Sequence, residues 1–309
     1  MMRRILLYLS EHPQVFRFVR NGSLPRRLAS RFVAGETLDS AVQAVRELNA
    51  KGISATLDLL GESVTRADEA AAAADTAIRM LERIAQDRLD SNISVKLTQF
   101  GMDIDESACV QNTRRILERA RELDIFVRLD MESSAYTQRT LDIAEKQLYP
   151  GYPKHVGVVI QSYLYRSKSD VARLIALGMR VRLCKGAYKE PPAVAWPDKR
   201  DVDASYAELM QQLLERGNYP ALATHDEALI AQAKRFVSER GIPRDRFEFQ
   251  MLYGVRRDLQ DQLVREGYRM RVYVPFGTQW YPYLMRRLAE RPANVAFILG
   301  NVVKESLRR

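Results

Sequence analysis

The sequence predicts an α/β fold: a (β/α)8 barrel with additional N-terminal helices and a C-terminal helix. Three observations carry that expectation. Eight short runs rich in β-branched and aliphatic residues recur along the 309 residues, each is followed by a stretch of helical character, and within several runs apolar residues alternate with polar or charged ones. Strand and helix repeated in turn imply a parallel sheet, and eight such units close into a barrel.

The runs lie at 53–60 (ISATLDLL), 93–100 (ISVKLTQF), 125–131 (IFVRLDM), 155–162 (HVGVVIQS), 179–186 (MRVRLCKG), 221–226 (ALATHD), 247–252 (FEFQML) and 269–276 (RMRVYVPF). The helical stretches are 66–89, 106–123, 136–148, 168–177, 202–216, 226–240, 255–266 and 279–291. Residues 2–48 read as extra helices ahead of the barrel, and 293–309 as a closing helix. No linker, repeat or low-complexity tract divides the chain. It therefore reads as one domain over 1–309, with N-terminal helices in 1–48 and a barrel core over 53–300.

Alternation also says which side chains face inward. Val95 and Leu97 oppose Ser94, Lys96 and Thr98. Val127, Leu129 and Met131 oppose Arg128 and Asp130, Val181 and Leu183 oppose Arg182 and Cys184, and Val272 and Val274 oppose Arg271 and Tyr273. The apolar parity faces the helices and the other parity faces the interior. Barrel interiors are usually filled by aliphatic residues. A polar, charged interior must instead pair with itself or with a ligand. Inward Lys96, Arg128, Arg182 and Arg271 outnumber Asp58, Asp130 and Glu248, a surplus that favours an anionic ligand.

Active sites of such barrels lie at the C-terminal ends of the strands. Asp58, Lys96, Asp130, Gln161, Arg182, Lys185, Thr224, His225, Gln250 and Tyr273 fall there. Any single one serves equally well as a structural pair or cap; eight strand ends that all finish on polar residues are harder to explain structurally. The last helical stretch places Tyr283, Arg286, Arg287 and Glu290 on one face, spaced i, i+3, i+4 and i+7. Adjacent arginines can clamp a carboxylate, and a solvated face of Arg–Glu pairs fits the same spacing.

Several classes are disfavoured. The chain contains no G-x-G-x-x-G after a strand and no P-loop motif. Of its three histidines only His225 falls at a strand end, which argues against a His-ligated metal, and no metal is expected. Its two cysteines are too few for a disulfide framework, and reduced thiols fit a cytoplasmic protein. The net charge of +9 sits at the ends: residues 1–35 carry seven arginines against Glu11. That basic N-terminus reads as a membrane-surface element, a nucleic-acid arm or a transit-like segment, and equally as a solvated face. An FMN barrel enzyme, an aldolase using Lys96 or Lys185, and a nucleic-acid module are the competing readings; the interleaved aromatics of strand-stacking RNA binders are missing, so no nucleic acid is expected.

Seven segments together resemble the proline dehydrogenase family: DLLGE (58–62), SVKL (94–97), RLCKGAY (182–188), ATH (223–225), EFQMLYG (248–254), RVYVPFG (271–277) and YLMRRLAE (283–290). The resemblance implies oxidation of L-proline to Δ1-pyrroline-5-carboxylate by hydride transfer to FAD. It further implies a quinone-type membrane acceptor and a separate Δ1-pyrroline-5-carboxylate dehydrogenase, since the chain is similar to the short, monofunctional form. By the same resemblance Lys96, Arg286 and Arg287 bind the proline carboxylate, while Tyr188, Leu252, Tyr273 and Tyr283 wall the ring. Arg182 sits by the hydride-accepting nitrogen and Asp130 supports it. Met131, Gln161, Arg182, Lys185, Gly186, Ala187, Thr224 and His225 contact FAD, Glu290 lies near the ribityl chain, and Glu62 closes the site as a gate against Arg286. The expected location is cytoplasmic, peripheral at the inner face of the membrane if the basic N-terminus engages lipid.

Overall fold

A computed structural model describes residues 29–61 and 64–285, and the backbone alone over 286–290. Eight parallel strands close into a barrel in sequential order, β1 (Ser54–Leu59), β2 (Ser91–Val95), β3 (Val127–Leu129), β4 (Val156–Gln161), β5 (Arg180–Cys184), β6 (Ala221–Ala223), β7 (Glu248–Leu252) and β8 (Met270–Phe276). β8 pairs with β1 from Ser54↔Arg271 to Leu59↔Phe276, which removes any free edge. Helices α1 (Leu38–Asn49), α2 (Ala67–Gln86), α3 (Glu106–Glu122), α4 (Ser134–Asp142), α5 (Ser167–Leu177), α6 (Lys199–Arg216), α7 (Glu227–Glu239), α8 (Arg257–Arg265) and α9 (Trp280–Glu290) alternate with the strands, with short turns at Leu97–Phe100, Ile143–Leu148 and Arg244–Arg246.

The outward parity of the strands supplies the core. Leu57, Ile93, Leu129, Val158, Leu183, Leu222, Phe249, Val272 and Val274 are all fully buried between sheet and helices. Truncating one such aliphatic side chain to Ala costs about 2–5 kcal/mol, because the shell cannot collapse onto the void. Helix ends are set locally. Thr37 and Ser40 form a reciprocal capping box at the start of α1, and the Asp105 carboxylate accepts from the Ser107 and Ala108 amides at the start of α3.

Two elements differ from their sequence reading. The run at 93–100 leaves the sheet after Val95, and Leu97–Phe100 forms a 3-10 turn that stops at Gly101, φ +93°. Gln99 causes this: its side-chain oxygen accepts from the Lys96 amide at 3.1 Å, while its amide donates to Leu59 O at 2.9 Å. The helix expected over 136–148 finishes as a wider turn over Ile143–Leu148. The helices expected in 1–28 and 293–309 lie outside the described residues. No helix among the described residues is long and apolar enough to cross a membrane.

Candidate active site

The C-terminal end of the barrel opens into a cavity of about 650 Å³, within the range that holds a small ligand with part of a cofactor. Each of β1, β2, β3, β5 and β8 delivers one ionisable side chain to its floor, and the five interlock. Asp130 accepts from Arg182 Nη1 at 2.7 Å, Ser94 Oγ at 2.9 Å and the Tyr273 hydroxyl at 2.7 Å. Arg182 Nη2 reaches Ser94 Oγ at 3.1 Å, and the Arg182 guanidinium lies 5.3 Å from the centre of the Tyr273 ring. Lys96 Nζ stands 3.2 Å from Asp58 and 4.0 Å from Asp130. Asp58 and Arg182 are 1% and 6% exposed, so these charges feel one another with little screening by water.

Burial pushes the Asp58 carboxyl up, the Lys96 charge holds it partly back, and the Asp130 charge adds to the rise. The Tyr273 phenol is raised well above its ordinary range, first by burial and then by Asp130 and Asp58; it is a donor at neutral pH. The floor is therefore two cations against two carboxylates, held by a neutral phenol. Another four-charge group lies at the mouth. Lys185 meets Asp203 at 2.5 Å and Asp226 at 2.8 Å, and Lys199 reaches both of those carboxylates as well. Burial raises the Asp226 carboxyl, but the hydrogen bond and charge of Lys185 and the charge of Lys199 prevail and bring it to about 2.

The structure brings most of the expected residues together. Lys96, Asp130, Met131, Gln161, Arg182, Lys185, Gly186, Ala187, Tyr188, Thr224, His225, Leu252, Tyr273 and Tyr283 all line this cavity. Glu62 and the side chains of Arg286, Arg287 and Glu290 lie outside the described residues. The backbone of α9 nonetheless runs on from Tyr283, so 286 and 287 stand one turn beyond a cavity residue. His225 accepts at Nε2 from the Leu252 amide at 3.0 Å, which fixes the ring in the cavity wall.

One expectation about charge needs relocating. The floor of the cavity is balanced, Lys96 and Arg182 against Asp58 and Asp130, its whole described lining carries five cations against four carboxylates, and the larger surplus lies at the opposite end of the barrel, where Arg128, Arg180 and Arg271 face Glu248. Sequence reading also passed over Lys199, Glu227 and Arg256, which line the mouth. Lys199 and Glu227 open helices and Arg256 precedes one, positions where charged residues are common, so nothing set them apart. Among the described residues no group of three or more His, Cys, Asp or Glu side chains could hold a metal.

The site can hold an anion beside a wall of Tyr188, Leu252, Tyr273 and Tyr283, and it keeps a buried guanidinium against whatever binds. Comparison with known proteins agrees with that chemistry. The family model described as proline dehydrogenase matches residues 41–299. Proline dehydrogenase 1 of Bacillus subtilis is 45% identical over 306 residues, spanning 99% of this chain and 100% of the relative. Proline dehydrogenase of Deinococcus radiodurans is 45% identical over 305 residues, 98% of each chain. A crystal structure of proline utilization A from Bdellovibrio bacteriovorus, inactivated by N-propargylglycine, superposes with a TM-score of 0.82 at 25% identity; the match covers 99% of this chain and 38% of that one. A (β/α)8 barrel with this inward set, matched along nearly its whole length by relatives of one activity, belongs to the proline dehydrogenase family: the chain is an oxidoreductase of the first step of proline catabolism.

Proposed function

We propose that this chain, acting as one domain, oxidises L-proline to Δ1-pyrroline-5-carboxylate with FAD as its cofactor. The observation that carries the reading is the buried Asp58–Lys96–Asp130–Arg182–Tyr273 network beneath a cavity with an apolar and aromatic wall. Two buried polar atoms of cavity-lining residues, Gln161 Oε1 and Arg182 Nε, have no partner among the described residues. An acceptor and a donor left unmet in one cavity suit the mixed donor and acceptor edge of a flavin ring, because such groups are costly to bury unpaired. Gly186 also fits a crowded cofactor wall. Its φ is +110°, and a Cβ there would lie 2.5 Å from the Tyr163 ring.

When bound, flavin supplies the hydride acceptor. The chain's own residues orient and stabilise. Lys96 with Arg286 and Arg287 holds the proline carboxylate by charge-assisted hydrogen bonds. Tyr188, Leu252, Tyr273 and Tyr283 fix the ring, so that the carbon next to nitrogen is presented in one pose. Arg182 places a fixed positive charge where electron density arrives, and Asp130 fixes Arg182 through the 2.7 Å contact. Met131, Gln161, Lys185, Gly186, Ala187, Thr224 and His225 would hold the cofactor, Glu290 would lie near its ribityl chain, and Glu62 would close on Arg286 when substrate is absent. Electrons pass on to a membrane quinone, and a separate Δ1-pyrroline-5-carboxylate dehydrogenase takes the product. Anaerobic addition of L-proline tests the reading: bleaching of the flavin absorbance is expected, and an unchanged spectrum with flavin bound refutes it.

A further inference from the structure

The N-terminal end of the barrel, opposite the cavity, gathers Arg128, Arg180, Arg269 and Arg271 at or next to the starts of β3, β5 and β8. One buried carboxylate, Glu248, answers them. It is already engaged, by Arg271 Nε at 3.0 and 3.1 Å, by the Tyr219 hydroxyl at 3.2 Å and by the Gln250 amide. Arg128 is 2% exposed and spends Nη1 on the backbone oxygens of Val158 and Arg180, leaving its Nε without a partner among the described residues.

Arg180 is the more telling residue. Its guanidinium is stacked 4.3 Å from the centre of the Phe126 ring and 4.5 Å from that of Tyr219. Among the described residues its guanidinium donates no hydrogen bond and its Nε is buried without a partner; Glu248 acts on it through charge alone. Tyr219 holds its place from a left-handed backbone, φ +47°, a strain that surrounding structure must sustain at about 1–3 kcal/mol. Its ring also carries Arg269, whose Nη1 donates to the Tyr219 hydroxyl at 3.2 Å. Gly157 lets the two arginines pack this closely, since a Cβ there would lie 2.3 Å from Arg180 O and 2.9 Å from Arg128 Nη1. Two rings thus lie against a guanidinium whose N–H groups have no hydrogen-bond acceptor among the described residues. A guanidinium takes an oxyanion in its own plane, through those N–H groups.

We propose that this end of the barrel binds a small inorganic oxyanion, held in the plane of the Arg180 guanidinium with Arg269 and Arg128 adding charge. The probe is inorganic phosphate, titrated into the flavin-loaded protein at constant ionic strength kept with gluconate, while the melting temperature is followed. A site that binds only the folded state raises that temperature along a saturating curve. Arg180→Met should move the half-saturating phosphate concentration up roughly tenfold or more, as loss of a charged hydrogen-bonding group does. Lys96→Met, at the other end of the barrel, should leave the curve in place. Superimposable curves for the native protein and Arg180→Met overturn the proposal, as does a curve abolished by Lys96→Met. Should Arg180→Met not fold, the exposed Arg269→Met decides: a several-fold weaker response supports the site, and an unchanged one overturns it.

Discussion

Replacing Asp130 by Asn probes the centre of the network while keeping its shape. The amide oxygen can still accept one hydrogen bond, but the charge facing Arg182 at 2.7 Å and Lys96 at 4.0 Å is gone. Lys96 keeps Asp58 at 3.2 Å, whereas Arg182 is left with Ser94 Oγ at 3.1 Å and no carboxylate partner among the described residues. Removing one partner of a buried pair costs about 3–5 kcal/mol, and the retained shape places Asn at the lower end. For a chain of this size that lowers the melting temperature by roughly 5–10 °C. Flavin reduction by proline should slow by on the order of 100-fold, the usual result of displacing a positioned group by an ångström. Stopped-flow reduction and thermal melts of Asp130→Asn, Arg182→Met and the double variant form a cycle, with a coupling of about 1–3 kcal/mol expected for residues in direct contact. Additive effects, or a single variant with native melting temperature and a reduction rate within threefold of native, would sink the view that Asp130 acts through Arg182.

Arg287→Ala should lower kcat/KM for L-proline roughly 30- to 1000-fold with flavin content unchanged, the cost of one charge-assisted carboxylate contact; steady-state kinetics within threefold of native would remove it from the clamp. Cofactor released by heat should run as FAD on a column, and FMN alone would count against the proposal. Asp226 has a carboxyl lowered to about 2, so its contribution to stability is present above its unfolded pKa near 4 and fades as pH falls toward 2. Asp226→Asn should therefore flatten that part of the acid-melting profile, and an identical profile would show that the mouth quartet is not coupled to folding. Anionic vesicles should pellet the full chain and not a form lacking residues 1–20, with the difference lost at high salt; equal pelleting of both would exclude a membrane role for the basic N-terminus.

The architecture was legible because a barrel strand repeats with period two. Asp58, Asp130, Arg182 and Tyr273, read as inward from alternation, do meet inside the barrel, and the outward Val and Leu side chains of the strands are buried. The reading failed where one side chain outweighed a propensity. The Thr98–Phe100 segment looks extended, and Gln99, bonded to the Lys96 amide and to Leu59 O, turns it back.

Parity tells in from out, but it does not tell depth along the barrel axis. Strands in a closed barrel are staggered, so inward residues share a layer according to register summed around the ring. Arg182 meets Ser94 from 88 positions away, and Tyr273 meets Asp130 from 143. Counting inward charges along the chain therefore finds a cationic surplus and assigns it to the catalytic end by default. The register divides it differently. Asp58, Lys96, Asp130 and Arg182 cancel in the upper layer, while Arg128, Arg180 and Arg271 share Glu248 below. A balanced floor changes what the substrate's carboxylate must rely on. With Lys96 already paired with Asp58, the proposed carboxylate clamp draws more on the helix after β8, whose sequence carries Arg286 and Arg287 just past the cavity residue Tyr283. Carboxylate affinity should then depend more on α9 than on β2, and the ratio of the KM effects of Arg287→Ala and Lys96→Met measures it: Arg287→Ala should raise KM the more, and the reverse order would place the binding charge on the barrel floor.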